Sequence, residues 1–341
     1  MSATTLEVGI LLVIGLGLTL YILLGGADFG GGVWDLLARG PGHERERELI
    51  AEAIGPVWEA NHVWLIFVVT ALFAAFPPAF AALGVALYVP FSIAIAGIVF
   101  RGAAFAFAQH GEGGAWQRRW TRVFGMASLV TPVVLGMAGA ALASGRIRIT
   151  AGGGVDAGLW SAWTGPLSIA VGALALAMCA YLAAVFLTAE AGLRGDAELA
   201  DLFRRRAVVS ALVAGALAAV GLVVVAVDAP ELWTGMREDG WPLVLLSAAG
   251  GLASLLLIVR RRDRQARVAA AVAVGSVVVG WGVAQWPYLI APDLTAQDAA
   301  APLSALRPIA VGLVVGGLLL LPSLLLLFRV FKAARTVSKL D

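Results

Sequence analysis

Charged residues are scarce in this sequence. Only 13% of its 341 residues are Asp, Glu, Lys or Arg, whereas 60% are hydrophobic, and the mean hydropathy is +0.91. Soluble globular domains usually have about 25% charged residues, because their surfaces must be solvated by water. So few charges cannot cover a water-soluble surface. The composition therefore predicts that lipid surrounds most of the chain.

Cysteine and histidine are also rare, which limits the redox chemistry of the chain. Cys179 is the single cysteine, so the chain cannot form a disulfide bond with itself. Among the three histidines, only His62 lies in a long apolar run. Haem iron takes His, Cys, Met or Tyr as axial ligands, and the sequence has neither paired histidines nor a Cys-x-x-Cys motif. This scarcity of ligands argues against an independent multi-haem protein and predicts no metal site in this chain.

Long apolar runs are what the sequence has in abundance. About 20 residues are needed to cross the ~30 Å hydrocarbon core of a bilayer. Nine such runs predict an all-α polytopic membrane protein with one transmembrane domain, residues 1–341, and spans at residues 8–37, 54–76, 79–107, 121–143, 160–188, 207–227, 241–259, 268–286 and 309–331. The first run lacks a preceding basic region and a small-residue cleavage site, so we interpret it as a retained span.

The basic residues predict the orientation of the bundle. The loops after odd-numbered spans, together with the C-terminal tail, contain 19 of the 24 lysines and arginines. By the positive-inside rule, the N-terminus is expected outside and the C-terminus in the cytoplasm. The runs at 204–206 and 260–262 are interpreted as topology determinants that could contact anionic lipid. They have no interleaved aromatic residues, so nucleic acid is not an expected partner.

Each of the first three predicted spans contains an ionisable residue of interest. These residues are Asp28, Glu59 and Arg101. At 1.5 Å per residue, all three are expected at a similar depth, near the cytoplasmic edge of the hydrocarbon. Ionisable residues within spans often mark ion or proton pathways. The alternative is that these side chains are interfacial and simply extend to water.

The start of the second span concentrates polar side chains. Glu59, Asn61 and His62 lie there within four positions, after Pro56, which is predicted to be the first helical residue. That start would place Glu59 at the positive end of the helix dipole. Glu52, Glu59 and His62 are spaced by seven and three positions, which predicts one helix face able to relay protons inward. The alternative is that Asn61 and His62 only hydrogen-bond a neighbouring helix.

Glycines surround the acid of the first span. Gly26 and Gly30 are four positions apart and flank Asp28, a pattern that predicts close packing of this helix on a neighbour. A phosphate-binding loop is excluded, because no strand precedes the segment and its lysine is absent. Close packing explains the glycines but not the carboxylate between them.

Five segments together carry a family resemblance. They are G-G-A-D-F-G-G-G-V-W (25–34), G-P-V-W-E-A-N-H-V-W-L-I (55–66), F-R (100–101), T-G-P (164–166) and G-W-G-V-A-Q-W-P-Y-L-I-A-P-D-L-T (280–295). Over essentially its whole length the chain resembles subunit II of the bacterial cytochrome bd-type quinol oxidases.

The resemblance implies a multi-pass subunit of the bacterial cytoplasmic membrane. Its expected partner is a subunit I that holds two b-type haems, one d-type haem and the quinol site. The complex would oxidise quinol, reduce dioxygen to water and build a proton gradient with protons taken from the cytoplasm. Subunit II would ligate no haem and would line a proton path at the subunit interface. Small single-span accessory subunits and a structural quinone are further partners that the family allows.

The resemblance also assigns residues. The acid of the family's P-x-W-[DE] motif falls on Glu59, the next polar positions fall on Asn61 and His62, and the first-span acid falls on Asp28. Family members commonly carry another acid three residues earlier, where this chain has Gly25. Glu59 is therefore the leading candidate for the proton pathway, supported by Asp28, His62, Asn61, Arg101 and Glu52.

Two other functions stay open at this point. A secondary transporter or channel would be favoured by polar residues near the midplane and broken helices in both halves of the chain. Here the polar residues are confined to the first three spans and lie off-centre. The other is a purely structural membrane scaffold.

Overall fold

Helices form almost all of the chain. The structure is a computed structural model, and it describes residues 3–55, 58–110, 114–150 and 152–337. Its α-helices are Ala3–Leu37 (α1), His43–Ile54 (α2), Trp58–Ala75 (α3), Pro77–Ala86 (α4), Tyr88–His110 (α5), Gly114–Ala141 (α6), Pro166–Leu193 (α7), Ala197–Asp228 (α8), Pro230–Gly235 (α9), Trp241–Val259 (α10), Asp263–Gln285 (α11), Ala296–Ala299 (α12) and Leu303–Val337 (α13). A π-helical turn, Met236–Gly240, joins α9 to α10.

The prediction of nine membrane spans is confirmed. Within the described ranges, nine helical segments are long and apolar enough to cross a bilayer. They are α1, α3, α5, α6, α7, α8, α9 with α10, α11, and the first part of α13. Helix α7 is the central one, because it packs against α1, α6, α8 and α11.

The third predicted span is wrong in one respect, because it is not continuous. The short helix α4 ends at Ala86, and α5 begins at Tyr88 after a break at Leu87. Pro90 is the third residue of α5. The first amides of a helix have no acceptor within the helix, so a proline there costs no hydrogen bond, whereas a proline in a helix interior removes one. Pro90 therefore favours a helix start at this point over an unbroken span.

Two small β-hairpins were not predicted. Strands Arg148–Ile149 (β1) and Val155–Asp156 (β2) pair antiparallel after α6, and Tyr288–Ile290 (β3) pairs with Leu294–Thr295 (β4) after α11. Both hairpins lie at one end of the bundle, which we call the hairpin end. We call the opposite end, where Arg45, Arg194 and Arg204 lie, the arginine end.

Helix α2 is a surface helix that the hydropathy pattern missed. Four of its first five residues are charged, so the hydropathy pattern predicts a loop between the first two spans. Its apolar side is nevertheless buried: Leu49 and Ile50 are each 2% exposed and pack against Leu187 of α7 and Phe203 of α8. Burial of this apolar face stabilises α2 against the end of the bundle.

Ion pairs join α2 to the neighbouring helices at the arginine end. Arg45 Nη2 lies 2.6 Å from Asp196 Oδ2, and Glu46 pairs with Arg206 of α8. Asp196 is also the N-cap of α8, since it accepts a hydrogen bond from the Leu199 amide. That hydrogen bond, aided by Arg45, holds the pKa of Asp196 below its ordinary value.

The glycines of α1 allow close helix packing, as the sequence predicts. A Cβ atom at Gly30 would lie 1.9 Å from the Cys179 carbonyl oxygen of α7. A Cβ atom at Gly32 would lie 2.1 Å from Ser128 Oγ of α6. Helix α1 therefore approaches both neighbours at distances that a side chain would not permit.

We expect Gly30→Ala to destabilise the protein by about 1–3 kcal/mol, the usual cost of an extra methyl group in a packed interior. The methyl group would meet the Cys179 carbonyl, which belongs to the backbone and cannot rotate away. Gly15→Ala, in the same helix, is the matched control because no atom lies within 4 Å of its added Cβ. Thermal unfolding in detergent measures both, and equal unfolding temperatures would contradict the packing account.

The predicted orientation can be tested with introduced cysteines. We expect Arg264→Cys, at the arginine end, to be labelled by a membrane-impermeant maleimide only after cells are lysed. Asp156→Cys, in the hairpin β1–β2, should be labelled in intact cells. Both positions are exposed, whereas the native Cys179 is buried. The opposite labelling pattern would reverse the orientation.

Candidate functional site

A polar cluster lies buried where α1, α3, α5 and α6 meet. Asn61 Nδ2 donates a 2.7 Å hydrogen bond to Asp28 Oδ2. These residues are 8% and 4% exposed, so neither side chain extends to water. An unpaired carboxylate is costly inside an apolar bundle, and the Asn61 amide offsets part of that cost. The structure thus joins the first-span acid to the polar start of the second span.

Arg101 is the cation of this cluster. It is only 1% exposed, and its Nε donates a 3.1 Å hydrogen bond to Ser128 Oγ of α6. Its guanidinium carbon lies 4.9 Å from the ring centroid of Phe29 and 5.1 Å from that of Phe124. Its Nη2 is buried and has no hydrogen-bond partner among the described residues, and the Asp28 carboxylate lies in the same cluster without a direct ion pair to it. The Ser128 hydroxyl and the two aromatic faces therefore offset part of the cost of removing the guanidinium from water.

His62 lies beside the cluster within an aromatic cage. Its ring centroid lies 6.0 Å from that of Tyr21, 5.8 Å from Phe29 and 6.1 Å from Trp58. Neither ring nitrogen has a hydrogen-bond partner among the described residues, and the buried Tyr21 hydroxyl has none there either. The imidazole is therefore not the hydrogen-bonded interhelical contact that the sequence left as an alternative.

His62 and Cys179, two of the possible haem ligands in the sequence, both have close neighbours in the bundle. Three aromatic rings surround His62, and the one cysteine is buried in the α1–α7 contact. No group of three or more His, Cys, Asp or Glu side chains in the described part of the chain could hold a metal ion.

Glu59 lies on a different face from the buried cluster. It is the second residue of α3 and is exposed, as are Val63, Ile66 and Phe73, with exposed fractions of 55%, 64% and 58%. These four positions are separated by four, three and seven residues, so they form one stripe along α3. We call them the Glu59 stripe. In the chain alone, the Glu59 carboxylate thus stands on an otherwise apolar outer surface.

The predicted continuous face of Glu52, Glu59 and His62 is wrong. Glu52 belongs to α2, which ends at Ile54, whereas the other two belong to α3, which begins at Trp58. Glu52 Oε2 forms a 2.5 Å ion pair with Arg194 Nη1 at the arginine end. The predicted helix start at Pro56 lies outside the described residues.

Sequence reasoning missed four members of the site. Tyr21, Phe29, Phe124 and Ser128 line the cluster, but their residue types are common in membrane helices. Tyr21 did carry a signal, since it lies seven positions before Asp28 and therefore on the same face of α1. Its ring also covers Gly25, where an added Cβ would lie 3.1 Å from the tyrosine ring.

Comparison with known proteins identifies relatives over most of the chain. Residues 6–331 match the family described as Cytochrome bd terminal oxidase subunit II. A stretch of 118 residues is 39% identical to cytochrome bd ubiquinol oxidase subunit 2 of Bacillus subtilis, covering 34% of each chain. A stretch of 128 residues is 34% identical to cytochrome bd-I ubiquinol oxidase subunit 2 of Escherichia coli K12 and covers 37% of this chain and 33% of that relative. These alignments span about a third of each curated relative.

The likeness to a solved structure extends further. A chain in the structure of bd oxidase from Geobacillus thermodenitrificans superposes with a TM-score of 0.77 at 27% sequence identity. The superposition covers 96% of this chain and 98% of that one. The helical architecture described above is therefore similar along nearly the entire length.

The buried charges should be energetically coupled. We expect Asp28→Asn to cost about 1.5–3 kcal/mol, because it removes the charged acceptor of the Asn61 hydrogen bond and the negative charge of the cluster that contains Arg101. Arg101→Met added to Asp28→Asn should cost less than the sum of the single changes, since no uncompensated charge remains. Chemical unfolding of the four proteins in detergent measures the coupling. Additive losses would show that the two residues act independently, and the exposed Asp156→Asn serves as a control.

Proposed function

Since this chain belongs to the cytochrome bd terminal oxidase subunit II family, we propose that it is the second subunit of a respiratory quinol oxidase. It is a multi-pass protein of the bacterial inner membrane. In this proposal the complex oxidises quinol, reduces dioxygen to water and takes the protons for that reaction from the cytoplasm. The match of the family along residues 6–331 is the observation that carries the proposal.

The haems are assigned to a partner. We place two b-type haems, one d-type haem and the quinol site in a subunit I. The donor set of this chain supports that division, because its one span histidine is enclosed by aromatic rings and its one cysteine is packed between helices. This chain then contributes packing surface and proton-carrying side chains rather than redox centres.

The Glu59 stripe supports a docking face for subunit I. An ionisable side chain that faces lipid at this depth is unfavourable, whereas one that faces a protein partner can be paired or hydrated. The other residues of the stripe, Val63, Ile66 and Phe73, are apolar and follow Glu59 along α3 at a helical spacing. Such a stripe is suited to packing against another membrane helix. We therefore place subunit I against this stripe, with Glu59 at the boundary between the two chains.

A proton path at this boundary follows from the same placement. We propose that Glu52, on the surface of α2, lies at the aqueous entrance and that Glu59 passes protons towards subunit I. His62 lies one helical turn from Glu59, on the side of α3 that faces the buried cluster. Asp28, Asn61 and Arg101 support the path by holding α1, α3 and α5 in register.

The other functions have less support. A solute transporter would need a binding site between two structural halves near the midplane. The buried polar cluster lies between α1, α3, α5 and α6, all from the first half of the chain. A purely structural scaffold would leave an exposed carboxylate on an apolar stripe without a role.

We expect Glu59→Gln to lower quinol-dependent oxygen consumption of the purified complex roughly tenfold or more, because the amide cannot carry a proton. The haem absorption spectrum should stay unchanged, since Glu59 is exposed on the surface of this chain. Glu59→Asp keeps a carboxylate and should retain more activity than Glu59→Gln.

The matched control for this experiment is Glu238→Gln at the hairpin end. Glu238 is likewise exposed, but it lies in the π-helical turn, far along the chain from α3. Unchanged turnover in Glu59→Gln, with both subunits present, would remove Glu59 from the proton path. A lost haem spectrum would instead assign it a role in assembly.

A further inference from the structure

An apolar groove runs along the outside of the bundle between α5 and α6. Its volume is about 470 Å³. Ile93, Ala96 and Phe100 of α5 form one wall, and Val123, Met126 and Val130 of α6 form the other. Arg122 is the one charged residue in its lining. The groove is therefore an elongated hydrocarbon surface with a single cation at one end.

A second arginine extends the charged end of this groove. Arg118 lies four positions before Arg122 on α6, so the two side chains share a helix face. Met126 and Val130 continue that face at four-residue steps. Both arginines are exposed, and neither forms an ion pair with a carboxylate in the described ranges. Elsewhere at the arginine end, Arg45, Arg194 and Arg204 are each paired with acidic residues.

Aromatic rings place the arginines at the membrane surface. The Trp120 ring centroid lies 5.6 Å from that of Trp116 and 4.8 Å from that of Phe107. Tryptophan is enriched where lipid headgroups meet hydrocarbon. The groove then descends from Arg122 to Val130, eight residues or about 12 Å along the helix, into the apolar layer.

We propose that this groove binds one anionic phospholipid. The phosphate lies between the Arg118 and Arg122 guanidinium groups, and one acyl chain lies along the groove. Charge complementarity selects this occupant, because the lipid supplies an anion at headgroup depth and a flexible apolar chain below it. A helix of another protein would have to place an acidic residue at the same depth and fill a groove floored by Ala96 and Gly97.

Native mass spectrometry of the purified two-subunit complex tests the proposal. The complex is delipidated and titrated with phosphatidylglycerol, and in parallel with zwitterionic phosphatidylcholine. We expect the native complex to retain one phosphatidylglycerol in preference to phosphatidylcholine. The double variant Arg118→Gln/Arg122→Gln should bind it about 30-fold more weakly, through the loss of two cation contacts.

Two further variants make the test specific. Arg264→Gln is the matched control, because Arg264 is also an exposed arginine at the arginine end but lies on α11, outside the lining of the groove. It should leave phosphatidylglycerol binding unchanged. Ala96→Phe fills the groove from an exposed position and keeps both arginines. It should reduce binding as well, because the acyl chain loses its surface.

Three results would overturn the proposal. Equal retention of phosphatidylglycerol by the native complex and the double variant would show that the arginines do not bind it. Equal retention of phosphatidylglycerol and phosphatidylcholine would show that the site does not recognise charge. Dissociation of the partner subunit from the variants, with bound lipid unchanged, would show that the groove is a protein interface. None of these results bears on the role of Glu59, so the proton path is tested separately.

Discussion

A guanidinium group buried in an apolar bundle is the constraint on which the first half of this structure depends. Arg101 is almost fully enclosed, and the hydrocarbon around the bundle offers no water to replace its hydration. Its charge must be compensated by side chains from other helices. Ser128 supplies a hydroxyl and Phe29 the face of a ring, and the Asp28 carboxylate lies in the same buried cluster.

That constraint explains why an acid stands among glycines on α1. Asp28 can act on Arg101 only if α1 lies close to its neighbours, and side chains at Gly30 and Gly32 would hold α7 and α6 away. The glycines and the carboxylate are thus two parts of one arrangement. Asn61 completes it by hydrogen-bonding Asp28, which positions the start of α3. The orientation of Glu59 follows, because it lies two positions before Asn61 and therefore on another side of the same helix turn.

The carboxylates of Asp28 and Glu59 consequently differ in their exposure. Asp28 is buried within this chain and is hydrogen-bonded there, whereas Glu59 is exposed on its surface. The same distinction applies to the arginines. Those near α2 have acidic partners within the chain, while Arg118 and Arg122 face outwards above a hydrocarbon groove. The proposals for the partner subunit and for the lipid rest on these exposed groups.

The amino-acid sequence by itself determined the membrane class and the number of spans, and it predicted the depth of the key polar residues. Hydropathy and rise per residue are local properties, so they required no knowledge of neighbouring helices. The glycine pattern around Asp28 is also a local property of the sequence, and it predicted the close packing of α1. Only the tertiary structure decided which side chains meet: that Asn61 bonds Asp28, that Arg101 rests on Phe29 and Phe124, and that Glu59 faces outwards. It also separated Glu52 from Glu59, because α2 is stabilised by contacts with α7 and α8 that no sequence window contains. Rotation of a helix about its axis is set by its partners, and those lie far away in the sequence.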